Sequence, residues 1–328
     1  MFRPFRGLAL ALLLAAPAHA QAQTQAQSDA WPNRPIRLVA PFPPGGTVDL
    51  LSRIFAPPLS QALGQQVIVE NRGGAGGSIG TGAVAKAPPD GYTFVMVFDT
   101  HAVNPSFIPN MPFDTKNDLA PVMLIATGAM VLTAHASQPY KTFGDLLTDA
   151  RAKPGVPNYG TICTGSLAHL AVTQMGAQGD FKPTHVPYKG GGPLVQDAIA
   201  GHVPVAIGTV ALMTPHIRSG VLVPLAVTTA ARDRTLPDVP TVAEQGLPGF
   251  EAAAWWGLLA PAKTPPAIIQ RMNAEVARLL GDPQIRDRLA GQGMNIVASS
   301  PEAFGGFLDE QMDKWAKVVR EHGIRAGD

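Results

Sequence analysis

The sequence predicts an α/β protein of two domains with mostly parallel sheets. Three observations point there. Short apolar runs alternate with helical patterns along the 328 residues, the order that sets strands beside crossover helices. Four glycine-rich turns each follow a strand-like run and precede a helix: Pro44-Gly45-Gly46-Thr47, Gly73-Gly74-Ala75-Gly76-Gly77-Ser78, Thr164-Gly165-Ser166 and Lys189-Gly190-Gly191-Gly192-Pro193. The roughly 300 residues that follow an N-terminal leader fit two domains of ordinary size.

The chain opens with a basic pair, Arg3 and Arg6, then an apolar stretch over residues 7–16, then Ala18-His19-Ala20. This reads as a signal peptide, residues 1–20, cleaved after Ala20; the apolar part is too short for a dedicated anchor. Residues 21–30 are Ala/Gln-rich and expected to be disordered. Strands are expected at 36–40, 67–70, 93–98, 121–126, 130–134, 203–207 and 222–228. A helix over 47–63 contains Pro57 and Pro58, which should kink or split it. Near the C-terminus, Pro265-Pro266 opens a helix with Ile268, Ile269, Met272, Val276, Leu279 and Leu280 on one face. Pro301-Glu302 opens another that carries Phe304, Phe307, Leu308, Trp315, Val318 and Val319, and Gly323 ends it. No internal repeat is visible in the sequence.

Composition narrows the function. Removing Arg3 and Arg6 takes the formal charge from +1 to −1. That balance argues for neither nucleic acid nor a membrane surface. Cys163 is the lone cysteine, so an exported chain must rely on its core rather than on an internal disulfide. No other apolar stretch reaches membrane-spanning length, and the mature chain is expected to be soluble. Gly76-Gly77-Ser78-Ile79-Gly80 fits the G-x-S-x-G pattern of a hydrolase nucleophile, but no strand ends just before the serine; a helix N-cap is the competing role for Ser78. Gly80-Thr81-Gly82-Ala83-Val84-Ala85 fits a dinucleotide fingerprint and falls inside a helix. Histidines are scattered, with no Cys/His cluster, so no metal and no cofactor are expected.

The glycine turns are the strongest pointer to a site. Helix N-termini leave N–H groups unpaired and carry partial positive charge. Glycine lets a ligand approach that backbone. The turns therefore suit an anion held by main-chain donors. Two lie in the first third of the chain and two in the middle, which places a ligand between two halves. His101 and His169 sit at strand-to-helix junctions and are candidates beside the more common structural role. Asp99 either faces a ligand cation or caps a local turn. Cys163 reads as a small packed residue.

Further motifs run through nearly the whole mature chain in order. They begin with Pro41-Phe42-Pro43-Pro44-Gly45-Gly46-Thr47-Val48-Asp49 and Val69-Glu70-Asn71-Arg72-Gly73-Gly74-Ala75-Gly76-Gly77. Asp90-Gly91-Tyr92-Thr93, Thr100-His101-Ala102-Val103-Asn104-Pro105, Gly165-Ser166 and His169-Leu170 follow. Val186-Pro187-Tyr188-Lys189-Gly190-Gly191, Pro215-His216-Ile217-Arg218-Ser219-Gly220 and Leu236-Pro237-Asp238-Val239-Pro240-Thr241 complete them. The set resembles the Bug-type extracytoplasmic solute-binding receptors of the tripartite tricarboxylate transporter family. The resemblance implies a type II periplasmic-binding fold: two α/β domains with a ligand cleft between them, residues 31–122 and 254–328 forming domain I and 123–253 domain II. It implies a small di-, tri- or aromatic carboxylate held by amides, hydroxyls and water. It also implies delivery to integral membrane subunits of such a transporter, a periplasmic location, a monomer and no catalysis. The residues expected at the ligand are Phe42, Gly46, Thr47, Gly76, Ser78, Asp99, Thr100, His101, Asn104, Thr164, Gly165, Ser166, His169, Gly190 and Gly191. The alternative is a secreted serine hydrolase using Ser78.

Departures from the family pattern bear on the ligand. Gly73 replaces a proline. Thr161-Ile162-Cys163-Thr164 is bulkier and more apolar than usual, and Pro204 and Gly208 stand where acidic residues are common. A less polar second-domain wall suits an aromatic or short aliphatic carboxylate. If His169 or His101 meets the anion as an imidazolium, affinity rises as pH falls from about 8 to 6, around the ordinary histidine pKa.

Overall fold

The computed structural model describes residues 31–325; the expected signal peptide and leader lie outside the described residues. Among the described residues, no helix is long and apolar enough to cross a membrane.

Two halves repeat one plan. In the first, β1 (Ile36–Ala40), α1 (Thr47–Leu63), β2 (Val67–Asn71), α2 (Ser78–Ala85) and β3 (Thr93–Phe98) follow one another, and α3 (Thr100–Phe107) leaves β3. β1 lies between β2 and β3, parallel to both. β4 (Leu119–His135) and α4 (Phe143–Ala152) lead into the second half. There β5 (Gly155–Thr161), α5 (Leu167–Gly179), β6 (Pro183–Pro187), α6 (Gly191–Ala200) and β7 (Val205–Thr209) repeat the order, and α7 (Val210–Arg218) leaves β7. β5 lies between β6 and β7, again parallel to both. The four glycine turns thus fall at equivalent places, after β1 and β2 and after β5 and β6. Those are the C-terminal strand ends where open α/β sheets bind ligands.

Mostly parallel sheets are expected from the alternation, and parallel pairing holds only inside each half. The halves are joined by long antiparallel strands. β4 pairs with β9 (Ala253–Pro261) over Leu119 to Ala129, then with β7 and β8 (Leu222–Val227) from Met130 to His135. The two expected strands at 121–126 and 130–134 are therefore one. Thr127-Gly128-Ala129 looks like a break in the pattern, yet Gly128 stays in the sheet because it has no side chain. A Cβ there would sit 3.1 Å from the Gly293 carbonyl and 3.2 Å from the Trp256 ring. Thr228 ties the two crossings together. Its hydroxyl accepts from the Met130 amide at 3.1 Å and donates to the Ala252 carbonyl at 2.6 Å.

The sequence pattern carries no strand signal at β5 or β6. β5 includes Gly155, Pro157 and Gly160, and β6 starts and ends on proline; such residues are tolerated at sheet edges, and β6 is an edge strand. α1 runs unbroken through Pro57 and Pro58. Pro57 is exposed and Pro58 half-buried; the two rings leave the carbonyls of Arg53 and Ile54 without their i+4 amide partners, yet the helix continues on either side. α8 (Pro266–Gly281), α9 (Pro283–Ala290), β10 (Met294–Ile296) and α10 (Pro301–Glu321) complete the chain. The expected faces of α8 and α10 are buried; only Phe307 is half-buried, edge-on to Trp255.

One buried side chain shapes the first glycine turn. Asp49 Oδ2 accepts from the Gly45 amide at 3.1 Å. Its Oδ1 accepts from Arg53 Nε and from Asn71 Nδ2, each at 2.9 Å. Burial raises the carboxyl pKa, but the hydrogen bonds from Arg53, Gly45 and Asn71 outweigh it and leave the group below its ordinary range. Asp49→Ala should cost about 1.5–3 kcal/mol, the range for hydrogen bonds to a charged group. A depressed pKa gives stability that is complete above the unfolded value near 3.9 and fades as pH falls through the folded value. Urea unfolding of both proteins at pH 7 and pH 3 checks this: the gap between them should shrink at pH 3.

Candidate functional site

The glycine turns of the two halves meet backbone to backbone. A Cβ on Gly46 would lie 3.6 Å from the Gly191 nitrogen, and one on Gly192 would lie 2.5 Å from the Pro44 carbonyl. The Pro43 ring wedges between Gly73 and Gly190, whose added Cβ atoms would come within 2.9 and 2.8 Å of it. Gly45 and Gly190 have φ of 85° and 139°, conformations open to glycine and strained for other residues.

Behind this seam lies a cavity of about 30 Å³. That is room for a water or two, far below the roughly 300 Å³ or more of a typical ligand pocket. The first half contributes Phe42, Gly46, Thr47, Val48 and Phe98, the crossing contributes Met130, and the second half contributes Ile162, Ala168, Gly191, Ile207, Gly208, Thr209 and Leu212. Four helix N-termini are represented: Thr47 and Val48 of α1, Ala168 of α5, Gly191 of α6, and Thr209, which caps α7 by accepting from the Leu212 amide at 3.3 Å. None of the lining residues carries a charge. The field there comes from helix ends and hydroxyls, inside apolar walls. Phe42 stands edge-on to Phe98 at 6.2 Å, and Phe98 lies 5.5 Å from Trp256. Outside the seam a groove of about 550 Å³ shares Gly46, Thr47 and Leu212 with the cavity.

Of the expected residues, Phe42, Gly46, Thr47 and Gly191 line the cavity. Gly190 is in the seam. The others gather beside it where α3 meets the turn after β5. Asn104 Nδ2 donates to the Gly76 carbonyl at 3.0 Å, and Thr100 lies against Gly76. Phe107 covers the α-carbon face of Gly165, where a Cβ would collide with its ring. Asp99 is close enough to Cys163 of the other half to act on its thiol, which burial and then Asp99 push up to about 12. A thiol so placed is a packed group rather than a nucleophile. Ser166 caps α5, accepting from the His169 amide at 3.2 Å. Thr164 is half-buried beside it. Ser78 is buried as the first residue of α2, behind the Gly77 cap. β2 ends at Asn71 and a short 3₁₀ turn, Ala75–Gly77, intervenes, so the strand–turn–helix of a nucleophile elbow is not formed there.

The histidines differ from the charged role expected of them. Burial holds His101 down to about 4, and its ring stacks on Phe113 at 6.1 Å. His169 Nδ1 accepts from the Gly165 amide at 3.1 Å. Its ring stacks on His185 at 4.0 Å, where a second positive charge would be repelled. Burial and then His169 lower His185 to about 3. The acceptor role of His169 Nδ1 favours a neutral ring.

The sequence reading passed over Val48, Phe98, Met130, Ala168, Ile207, Thr209 and Leu212 as site residues, and met Ile162 and Gly208 only as departures that make the second-domain wall less polar. Most are apolar residues with no chemical signature. Thr209 had a readable one: a hydroxyl after a strand and before the helical pattern of α7 marks an N-cap.

The chain is similar to known proteins over most of its length. A family profile described as the tripartite tricarboxylate transporter family receptor matches residues 51–324. The protein BugT of Bordetella pertussis is 36% identical over 300 residues, which is 91% of this chain and 92% of BugT. A Rhodopseudomonas palustris protein solved with adipate superposes with a TM-score of 0.87 at 36% identity, covering 90% of this chain and 99% of that one. MatC from Rhodopseudomonas palustris, with bound malate, superposes with a TM-score of 0.84 at 30% identity, covering 88% of this chain and 100% of that one. With its paired α/β lobes and interlobe cleft, this chain belongs to the tripartite tricarboxylate transporter receptor family, the Bug-type periplasmic solute-binding proteins.

Proposed function

We propose that the protein is a non-enzymatic receptor that captures a small carboxylate between its lobes and hands it to the integral membrane subunits of a transporter. On this reading it works as a monomer in the periplasm after residues 1–20 are removed. The observation that carries the reading is the convergence of four helix N-termini from both halves on one uncharged cavity. Such a site favours an anion without a salt bridge. The relatives solved with adipate and malate name the first compounds to try. Ile162, Ile207 and Leu212 favour the aliphatic or aromatic part of such a ligand over a heavily hydroxylated one.

A cavity of about 30 Å³ admits no dicarboxylate. The lobes must part at the glycine seam and close again. The change of partner along β4 supports a lobe boundary between Ala129 and Met130 rather than at 122/123, with the return between Ala252 and Ala253. A ligand that binds only the folded protein adds about 2.7 kcal/mol at a hundredfold excess over its dissociation constant. A thermal-shift screen of mono- and dicarboxylates should yield a stabilising ligand, and small-angle scattering should show the ligand-free ensemble to be more expanded than the complex. An unchanged radius of gyration, or ester hydrolysis abolished by Ser78→Ala, would count against the reading.

Main-chain recognition also predicts which substitution matters. Gly46→Val puts branched methyls beyond a Cβ that already lies 3.6 Å from Gly191. Arg72 is exposed. Calorimetry should show at least about tenfold weaker binding for Gly46→Val, since neutral hydrogen bonds worth roughly 0.5–1.5 kcal/mol each fail together. Arg72→Ala should bind nearly as well as the parent. The opposite ranking would mean that a salt bridge holds the anion.

The pH dependence follows from the neutral imidazoles. With His101 held near 4 and His185 near 3, these groups take up no proton between pH 8 and 6. His169 already accepts a hydrogen bond at Nδ1. The dissociation constant of a fully ionised ligand should therefore be flat over that range. A rise in affinity toward pH 6 that disappears in His169→Gln would restore the imidazolium contact.

A further inference from the structure

Unpaired buried polar groups gather at the start of α3. Asp99 is 1% exposed, its Oδ2 has no partner, and neither ring nitrogen of the adjacent His101 has one. The remaining oxygen, Oδ1, accepts from the Thr100 hydroxyl at 3.2 Å. A turn-capping role does not account for this. Asp99 stands at the cap position of α3, but its backbone is helical, with φ −46° and ψ −34°, and it makes no side-chain cap bond; a capping residue is usually extended. A buried, unpaired carboxyl is destabilising, so its presence points to a partner that arrives later.

Its position says where that partner sits. Asp99 ends the β3 connection just as Thr209 ends the β7 connection in the other half, and Thr209 lines the cavity. Phe98, one residue earlier, lines it too. Across the seam stands Cys163, next to the lining residue Ile162. The nearby acid on α1, Asp49, is already engaged by Gly45, Arg53 and Asn71. The site is rich in donors, from helix ends and hydroxyls, and its lining has no charged acceptor.

We propose that Asp99 is a specificity-determining residue that receives an ammonium group of the ligand, so that the receptor takes an amino-bearing aliphatic carboxylate. This rests on the carboxylate-receptor reading. The ligand carboxylate meets the helix N-termini while its ammonium meets Asp99 Oδ2. Two negative charges on a plain dicarboxylate would add to that of an ionised Asp99, whereas a zwitterion balances it. In the closed, empty protein, burial holds the carboxyl well above its usual range; a cation at the site favours the ionised form.

Titration calorimetry with adipate, 2-aminoadipate and 6-aminohexanoate tests this, since the three share a six-carbon chain. At least one amino compound should bind roughly tenfold or more tightly than adipate, and Asp99→Asn should bring the two to within about threefold. Without ligand, Asp99→Asn should melt no lower than the parent, because it removes an unpaired buried acid. Adipate as the tightest ligand, an amino preference that survives Asp99→Asn, or a variant that unfolds would each overturn the assignment while leaving the receptor reading in place. Failure of every carboxylate in a wider panel would overturn both.

Discussion

Everything at the site depends on backbone touching backbone across the seam. Gly45 and Gly46 of one half lie against Gly191 and Gly192 of the other, with Pro43 packed between Gly73 and Gly190. A Cβ on Gly192 would collide with the Pro44 carbonyl at 2.5 Å. The consequence is that peptide groups at the seam, together with the apolar side chains behind it, bound a water-sized space. Asp49 holds the first of these turns from below, with one oxygen on Gly45 and the other shared by Arg53 and Asn71. The seam is therefore a feature of loop geometry fixed by one buried carboxylate, rather than of any residue that would touch the ligand.

The repeated β-α-β-α-β plan explains why the turns converge. Each half sends the C-terminal ends of its parallel strands toward the other, and β4 runs through both, antiparallel to β9 in the first half and to β7 and β8 in the second, so the two sets of helix N-termini face each other. Helix ends supply fixed positive potential that needs no proton. That agrees with the His101 and His185 imidazoles kept neutral chiefly by burial. An uncharged cavity also avoids the desolvation that burying an arginine would bring.

How much of this was legible in the sequence depended on the kind of signal. The glycine turns could be read because glycine at a strand end has a conformational reason to be there, and all four open helices as expected. The buried faces of α8 and α10 were readable from their spacing. β5 and β6 were not, because prolines and glycines on short strands near an edge erase the apolar pattern. The single long β4 was read as two strands, because Gly128 looks like a break until Trp256 is seen packed against it. Most of the cavity's apolar lining gave no sign, since Ile207 and Leu212 look like any core residues until the two halves are folded together; Ile162 stood out only as part of an unusually apolar segment.

Asp99 and His101 are where local rules fail. A sequence optimised for stability would pair or remove a buried carboxyl and an unpartnered imidazole, and natural chains retain such conflicts chiefly at functional sites. The equivalent position in the other half shows the untroubled solution: Thr209 caps its helix and lines the cavity at once. With Asp99 the first half gives up the cap and keeps a free acceptor at the same topological point. The asymmetry lies in one side chain on an otherwise repeated frame. On the proposed reading, an anion-binding cleft is thereby given a direction, with donors from the helix ends and hydroxyls and one acceptor beside the seam.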